Sequence, residues 1–404
     1  MSLRLPEPLQ RLTTDSDAPL RQGVYRSALR DERLAAILGA SLGILFSICF
    51  VTGLYSHIQQ NPVSWFPIQP RPAGLYRLSQ GVHVVAGIAS VPVLIAKLWL
   101  VWPRFVSFPV AKRLTGLVER IGLLPLVAGG IFMTFSGVAN IAQWYPWRFS
   151  FTASHYWMAW VTMGSIVAHG GAKWATTRRS LRRPSRRPAL ADADPELGTT
   201  AETEGPGLTR RGLLTTVAAA SGILTLTTIG QTVRPLRRLG LLAPRDPATG
   251  PQGRPVNRGA ANAGVVELAQ SADYRLEVTG RVARPMSLTL EELRALPTND
   301  AVLPIACVEG WSFSAPWSGV RVRDLLAIAG AEPDRTILIE SLEPRGVYRT
   351  STLNSDQAAD RDTLLATALD GEALALDHGF PCRLIAPNRP GVLQTKWVSR
   401  VVVL

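Results

Sequence analysis

The order of apolar and polar positions divides the chain into two parts of different character. From about residue 34 to residue 175 it passes through long apolar stretches separated by short polar breaks. About 20 apolar residues suffice to cross a bilayer as a helix. The stretches run from about Leu34 to Tyr55, Leu75 to Trp102, Gly116 to Ile141 and Ser154 to Trp174. A further apolar run, Leu213 to Ile229, follows Thr209-Arg210-Arg211-Gly212. Beyond residue 256 the pattern shortens. Tyr274 to Val282 alternates as a strand, and Leu290 to Leu296 reads as a short helix capped by Thr289. Ala301 to Ala306, Thr336 to Glu340, Cys382 to Ala386 and Val398 to Leu404 read as strands. Val322 to Ala329 and Ala358 to Leu369 read as helices. The pattern predicts an all-α transmembrane bundle of about four helices plus a fifth anchor helix, then an α+β domain.

These breaks give a cytoplasmic arm (1–33), a four-helix membrane domain (34–175), an Arg-rich linker (176–208), a fifth helix (209–231), a second linker (232–255) and a last domain (256–404). Charge orients them. The chain carries 43 Lys and Arg against 30 Asp and Glu, a net charge of +13. The densest cluster, Arg178-Arg179 through Arg186-Arg187, directly follows an apolar stretch, as a cytoplasmic loop does under the positive-inside rule. Nucleic-acid binding would need a basic face with interleaved aromatics, and that pattern is missing. With the N-terminus inside, five spans place the last domain outside the cytoplasm. Trp65, Phe66 and the run Gln143-Trp144-Tyr145-Pro146-Trp147 suit the membrane interface. Residues 1–33 contain no apolar signal-peptide core. Three cysteines make no disulfide framework; Cys49 and Cys382 read as packing residues.

Of five histidines, four lie in or at the ends of the expected spans: His57, His83, His155 and His169. Ionisable groups inside a membrane are costly and usually functional. A b-type haem needs two histidines facing each other at one depth. His155 and His169 are fourteen residues apart, so they share one helix face about 21 Å apart. In the expected topology His57, His83 and His155 lie at the outer end. His83 can meet His155 there to hold one haem b. A second haem would need a partner for His169, and at that level stands Lys97, which can ligate, contact a propionate or quinone, or snorkel. His57 can replace His83 as ligand, or bind a propionate or a quinol. The H-x13-H interval resembles the di-haem helices of membrane cytochromes b in the formate dehydrogenase and thiosulfate reductase family. The alternative is a haem-free anchor or transporter-like bundle whose histidines only hydrogen-bond between helices.

The chemistry of the last domain centres on Pro304-Ile305-Ala306-Cys307-Val308-Glu309-Gly310-Trp311, where an apolar strand delivers a cysteine to a glycine turn. Trp317-Ser318-Gly319-Val320, His378-Gly379-Phe380-Pro381-Cys382-Arg383, Lys396-Trp397 and Val256-Asn257-Arg258 complete the set. Together these resemble the molybdenum-cofactor domain of the sulfite oxidase family over roughly the last 150 residues, a domain-sized stretch. Cys-Val-Glu-Gly-Trp is closer to the bacterial extracytoplasmic methionine-sulfoxide reductase branch. The resemblance implies a Mo-molybdopterin cofactor with Cys307 as molybdenum ligand. It implies pterin contacts from Asn257, Arg258 and Trp397, and anchoring of the pterin phosphate by His378, Arg383 and Lys396. It also implies two-electron oxygen-atom transfer with a small oxyanion or sulfoxide. Tyr348 and Arg345 are candidate substrate residues. The segment Thr209 to Leu214 resembles a twin-arginine export signal, which a domain folded around its cofactor before export would need. The whole reads as a multi-pass membrane molybdenum oxidoreductase, N-terminus cytoplasmic and catalytic domain outside, exchanging electrons with the quinone pool through haem b.

Overall fold

The computed structural model describes residues 29–63, 65–106, 114–182, 208–231, 233–243, 245–246 and 249–404. Most of the expected cytoplasmic arm and Arg-rich linker lies outside the described residues. Each apolar stretch forms one helix: α1 (Glu32–Gln60), α2 (Leu75–Val106), α3 (Leu114–Ile141), α4 (Phe151–Arg182) and α5 (Arg210–Ile229). Four of them, α1, α2, α3 and α5, are long and apolar enough to cross a membrane, as a multi-pass membrane protein requires. The expected fourth span is different. α4 is 32 residues long, but His155, His169, Lys173 and several Ser, Thr and Gly residues dilute its apolar character. It also continues to Arg182, so the start of the expected linker is helical.

The chain divides into two compact units, one of residues up to Val51 with Val85–Thr225, the other Thr52–Val84 with Leu226–Leu404. In the first, Leu34 and Leu38 of α1, Val93, Ala96 and Leu100 of α2 and Val217 of α5 share one apolar core. The Lys97 ammonium donates to the Ala35 carbonyl at 2.6 Å, a satisfied placement for a cation among apolar helices.

The second unit contains two sheets. One has the order β2 (Met286–Leu288), β1 (Leu276–Gly280), β10 (Val398–Val403), β5 (Ile337–Ser341), β6 (Thr350–Leu353). β1 and β10 run parallel; the other neighbours are antiparallel. The other has the order β3 (Thr298–Ala306), β4 (Ser312–Arg321), β7 (Leu364–Leu369), β8 (Glu372–Ala373), with β9 (Arg383–Ile385) also on β7. The helices are α6 (Ala260–Ala263), α7 (Val266–Gln270), α8 (Leu290–Ala295), α9 (Val322–Ala329) and α10 (Ser355–Ala359). α8 starts at the expected Thr289, whose hydroxyl accepts from the Glu292 amide while Glu292 returns a bond to the Thr289 amide.

The expected helix over Ala358 to Leu369 is corrected. Its first residues close α10, and Leu364–Leu369 is strand β7, paired with β4, β8 and β9. A strand covered on both faces is continuously apolar, so periodicity cannot separate it from a buried helix. The expected linker 232–255 is corrected at its end: Arg254 pairs with Asp370 at 2.9 Å, and the Gln252 amide donates to the Ala373 carbonyl at 3.1 Å.

Residues 52–84, the end of α1, the loop after it and the start of α2, belong to this same unit. Asn388 ties them in. Its side-chain oxygen accepts from the Tyr76 amide at 2.9 Å and the Tyr55 hydroxyl at 3.1 Å, and its amide donates to the Gln69 carbonyl at 2.8 Å. Its φ is 53°, a conformation Asn tolerates better than most residues. Arg71 adds ion pairs to Asp360 at 2.9 Å and Asp362 at 2.5 Å, both partly exposed. Asn388→Ala is expected to cost about 3 kcal/mol, from the lost hydrogen bonds and the left-handed backbone. Arg71→Ala should cost less than about 1 kcal/mol, because exposed ion pairs contribute little. Thermal unfolding followed by circular dichroism measures both, and equal shifts would contradict this ranking.

Candidate active site

The β3–β4 hairpin presents Cys307 at its tip. The Cys307 amide donates to the Trp311 carbonyl at 2.9 Å, and the Gly310 amide to the Cys307 carbonyl at 3.1 Å, closing a tight turn. Gly310 has φ +92°, and a Cβ there would lie 3.0 Å from the Gln231 amide nitrogen and 3.2 Å from a Val84 methyl. Conformation and space both require glycine. The Trp311 indole donates to the Glu309 carboxylate at 2.8 Å, and Arg245 stands 3.6 Å from that carboxylate. Cys307 is only 1% exposed. Burial pushes its thiol pKa up and the Glu309 charge adds to this; Arg245 opposes it. A metal that takes the sulfur therefore displaces a firmly held proton.

Cys307 lines a narrow cleft together with Trp311, Asn257, His378, Arg383 and Lys396. The structure thus gathers residues separated by up to 139 positions, as in the Lys396 to Asn257 contact at 3.4 Å. His378 Nε2 bonds the Pro251 carbonyl at 2.8 Å, so Nε2 carries the hydrogen. Burial and the neighbouring Arg383 charge hold the His378 pKa down to about 4, and the ring is neutral at pH 7. Arg383 donates to the His378 carbonyl at 3.0 Å and lies 5.3 Å over the Trp317 ring. Its Nε is buried without a hydrogen-bond partner among the described residues. Burial draws its pKa down to about 9. The Lys396 ammonium donates to the Asp377 carbonyl at 3.0 Å and to the Arg258 carbonyl, and sits 4.5 Å over the Trp397 ring. Burial, then the Arg383 charge, pulls its pKa down to about 7. Gly379, φ +111°, lets both cations approach: a Cβ there would stand 3.1 Å from the Cβ atoms of Arg383 and Lys396.

The remaining expected residues fall in different places. Trp397 is fully buried and its indole donates to the Leu376 carbonyl at 2.8 Å, so it is a platform under Lys396. Arg258 pairs with Glu343 at 2.8 Å. The Tyr348 hydroxyl donates to Gln60 at 3.1 Å, and Tyr348 is an electrostatic neighbour of Cys307. Arg345 is exposed, and neither it nor Tyr348 is among the residues lining the cleft. Cys382 is a packing residue of the larger apolar core. Three participants were missed from sequence. Asp377 accepts from the Ala260 amide at 2.7 Å and lines the cleft; its place beside His378 was the only available signal. Glu309 stood inside the Cys-Val-Glu-Gly-Trp run with no role assigned to it, and Gln231 had no signal, since its contact with Gly310 joins distant segments.

The membrane histidines divide between the units: His57 and His83 in the second, His155 and His169 in the first. His83 Nδ1 lies 3.1 Å from the Thr52 hydroxyl, and His155 Nδ1 lies 2.9 Å from the Ser136 hydroxyl. Metal-ligating histidines engage their second nitrogen in this way. Small residues flank both rings: a Cβ on Gly53 would lie 3.1 Å from His83, and one on Gly137 3.9 Å from His155. His57 Nδ1 is 3.4 Å from the Asn61 amide. The first two bonds run between helices, α1 to α2 and α3 to α4.

The cleft fits a phosphorylated pterin. Among the described residues Arg383 and Lys396 are hydrogen-bonded only to neutral groups, with the Glu343 and Asp377 charges acting on Lys396 from further off, and buried cations call for an anion. Among the described residues no three His, Cys, Asp or Glu side chains form a metal cage. Cys307 would therefore be one donor in a sphere completed by the cofactor.

Comparison with known proteins agrees. Residues 263–404 match the family model described as oxidoreductase molybdopterin binding domain. Mitochondrial sulfite oxidase of Drosophila melanogaster is 32% identical over 163 residues, 34% of this chain and 28% of its own. The MsrP protein-methionine-sulfoxide reductase catalytic subunit of Gluconobacter oxydans is 31% identical over 146 residues, 32% of this chain and 47% of its own. YedZ1 of Azospira oryzae, a candidate protein-methionine-sulfoxide reductase subunit by its name, is 35% identical over 138 residues, 34% of this chain and 52% of its own. The chain spans about half the length of these relatives, or less.

Lys396→Gln is expected to lower pterin content about tenfold, the size of one charged hydrogen bond. Cys307→Ser should keep the pterin and lose turnover. Fluorescence of the released, oxidised pterin measures the first; equal pterin in Lys396→Gln and the parent would contradict this assignment. Lys396 also sets a pH dependence. Its pKa is about 7 in the fold against 10.5 ordinarily, so between these values the unfolded chain binds the extra proton. Stability of the cofactor-free protein should therefore rise with pH across that window. The rise should vanish in Lys396→Met, and melting temperatures at pH 7 and pH 9 check both.

Proposed function

We propose that this molybdopterin-dependent oxidoreductase performs oxygen-atom transfer on a small sulfoxide or oxyanion outside the cytoplasm, linked to the quinone pool through haem b in its membrane helices. Molybdenum bound at Cys307 would supply two-electron oxygen-atom transfer, and haem b would supply one-electron carriage. His83 and His155 are the ligands of the outer haem in this reading, with His57 and His169 available to a second site or to a quinol. The observation that carries it is the placing of His83. One helical turn before it, Gln80 donates to the Val308 carbonyl at 3.4 Å, and Val84 lies against Gly310. The helix segment bearing His83 thus touches the turn bearing Cys307, within one compact unit.

The protein's own groups divide the remaining work. Lys396 and Arg383 hold the pterin phosphate, and neutral His378, its one N–H on the Pro251 carbonyl, lines the cleft beside them and supports Arg383 through its own carbonyl. The Glu309 carboxylate, held by Trp311 and Arg245, keeps the turn in place. Tyr348, whose hydroxyl hydrogen is given to Gln60, stays in this reading as a candidate substrate neighbour through its nearness to Cys307. For a sulfoxide the balance is R2SO + 2 H+ + 2 e− → R2S + H2O, with the electrons drawn from quinol. The Arg210-Arg211 pair at the start of α5 serves export of the folded domain in this reading, with the N-terminus inside and five spans.

His83→Ala is expected to abolish the haem b absorbance and quinol-driven turnover while keeping turnover with reduced benzyl viologen, which delivers electrons directly. Quinol-driven turnover intact in the double variant with His155→Ala would sink the conduit. It would leave a haem-free anchor beside an active cleft.

A further inference from the structure

After the membrane-length helix α5 the chain turns back on the helix end before it reaches the cleft. The Val233 amide donates to the Ile229 carbonyl at 2.9 Å, and a 3-10 turn covers Arg234–Leu239. The Leu242 amide then donates to the Thr227 carbonyl at 2.8 Å. Gly230 and Gly240 meet at the reversal: a Cβ on Gly230 would stand 2.8 Å from the Gly240 Cα. Residues 239–242 are therefore held at the level of the last turn of α5.

The surface of this reversal does not suit water. Leu239 and Leu242 are more than half exposed, Leu241 is 82% exposed, and Leu226 on the last turn of α5 is exposed as well. Single exposed leucines are ordinary, but these are continuous with the end of an apolar helix and form a patch. Arg237 and Arg238 are exposed beside them. Arg237 has a long ion pair to Asp246, 3.7 Å and open to solvent, and Arg238 has no ion pair among the described residues. In the five-span reading this end of α5 lies outside, where the positive-inside bias disfavours arginine close to a span. An apolar edge with cations next to it matches the boundary between acyl chains and phosphate headgroups.

Both ends of the segment are fastened to the Cys307 turn. The Gln231 carbonyl accepts from the Ser312 amide at 3.3 Å. Arg245 stands 3.6 Å from Glu309 and donates at 2.9 Å to the carbonyl of Val256, which lines the cleft. Whatever fixes residues 237–242 thus also fixes the position of the cysteine.

We propose that residues 237–242 are an interfacial anchor, with Leu239, Leu241 and Leu242 among the acyl chains of one leaflet and Arg237 and Arg238 on the phosphates of anionic phospholipids. The anchor holds the Cys307 turn close to the membrane surface. This rests on the reading of α5 as a membrane span.

The test uses the whole chain in lipid nanodiscs of phosphatidylcholine, alone or with phosphatidylglycerol added. A nitroxide on Leu241→Cys should be shielded from a water-soluble nickel chelate and open to oxygen, which concentrates among acyl chains. A nitroxide on Val347→Cys, exposed in the β5–β6 loop, is the aqueous reference and should show the opposite. Leu239→Cys repeats the measurement should Leu241→Cys not fold. After extraction into detergent the chain should retain phosphatidylglycerol about tenfold more tightly than phosphatidylcholine, as mass spectrometry of bound lipid measures. Arg237→Gln with Arg238→Gln should abolish that preference. The corresponding Lys pair should keep it, because lysine also serves a phosphate as a point charge. Inorganic phosphate should not displace the lipid. Equal nickel access at the two labels overturns the anchor. Absence of the phosphatidylglycerol preference in the parent, its persistence in the Gln pair, or displacement by inorganic phosphate overturns the headgroup assignment. Shielding with magnetic broadening between labels on two chains means that a second copy covers the leucines, and this overturns the proposal too. Release of the chain from vesicles by alkaline carbonate without detergent would remove the membrane span itself; a chain that resists carbonate but exposes Leu241 loses the anchor alone.

Discussion

The Cys307 thiol is held in a turn that leaves 1% of its surface exposed, where burial makes its proton hard to lose. A thiolate forms in such a place when a metal replaces the proton, since only then is the charge compensated. Fixing that one sulfur explains much of the surrounding construction. The β3–β4 pairing runs without a break from Thr298 to Ala306 and stops where the cysteine begins. Gly310 closes the turn against Gln231 and Val84, and Glu309 is clamped between Trp311 and Arg245. The supports come from α2, from the segment after α5 and from the hairpin itself. Cys307 is thus braced by elements far apart in the chain.

The opposite wall of the cleft follows from charge. Two cations with depressed pKa values, Arg383 and Lys396, are held over indole rings by bonds to neutral groups. Such an arrangement is costly until an anion arrives, so it stores affinity for a phosphate. Neutral His378, its one N–H bound to the Pro251 carbonyl, lines the cleft without adding charge. Trp317 and Trp397, both fully buried, give the cations rigid platforms; this accounts for the tryptophan beside each motif.

What was legible in the sequence follows the range of the interactions involved. The membrane-length helices could be read because an apolar run is a local property, and α1 to α3 and α5 meet it. The α8 cap could be read because Thr289 and Glu292 are three residues apart. The cleft residues were accessible because Cys307, His378, Arg383 and Lys396 stand in local motifs, and the fold brings them to one cleft. Strand β7 was mistaken for a helix because burial on both faces erases the alternation. Arg345 was drawn in by its nearness to Tyr348 in sequence, yet it is exposed. Gln60 was out of reach: its partner Tyr348 is 288 residues away, and nothing local marks Gln60.

The helix ends and the cleft form one physical object, because Thr52–Val84 and residues 263–404, which match the molybdopterin-binding family model, belong to the same compact unit. A histidine on α2 and the cysteine of the cleft are thereby connected through Gln80 and Val84. On this account the helices are working parts of an electron-transfer enzyme, beyond holding it at a membrane. The most direct measurement is the molybdenum and haem b content of the purified 404-residue chain, by elemental analysis and the pyridine haemochrome spectrum. The account predicts one molybdenum with at least one haem b per chain. Molybdenum without haem would contradict it, and the electrons would then have to reach Cys307 from a separate soluble carrier.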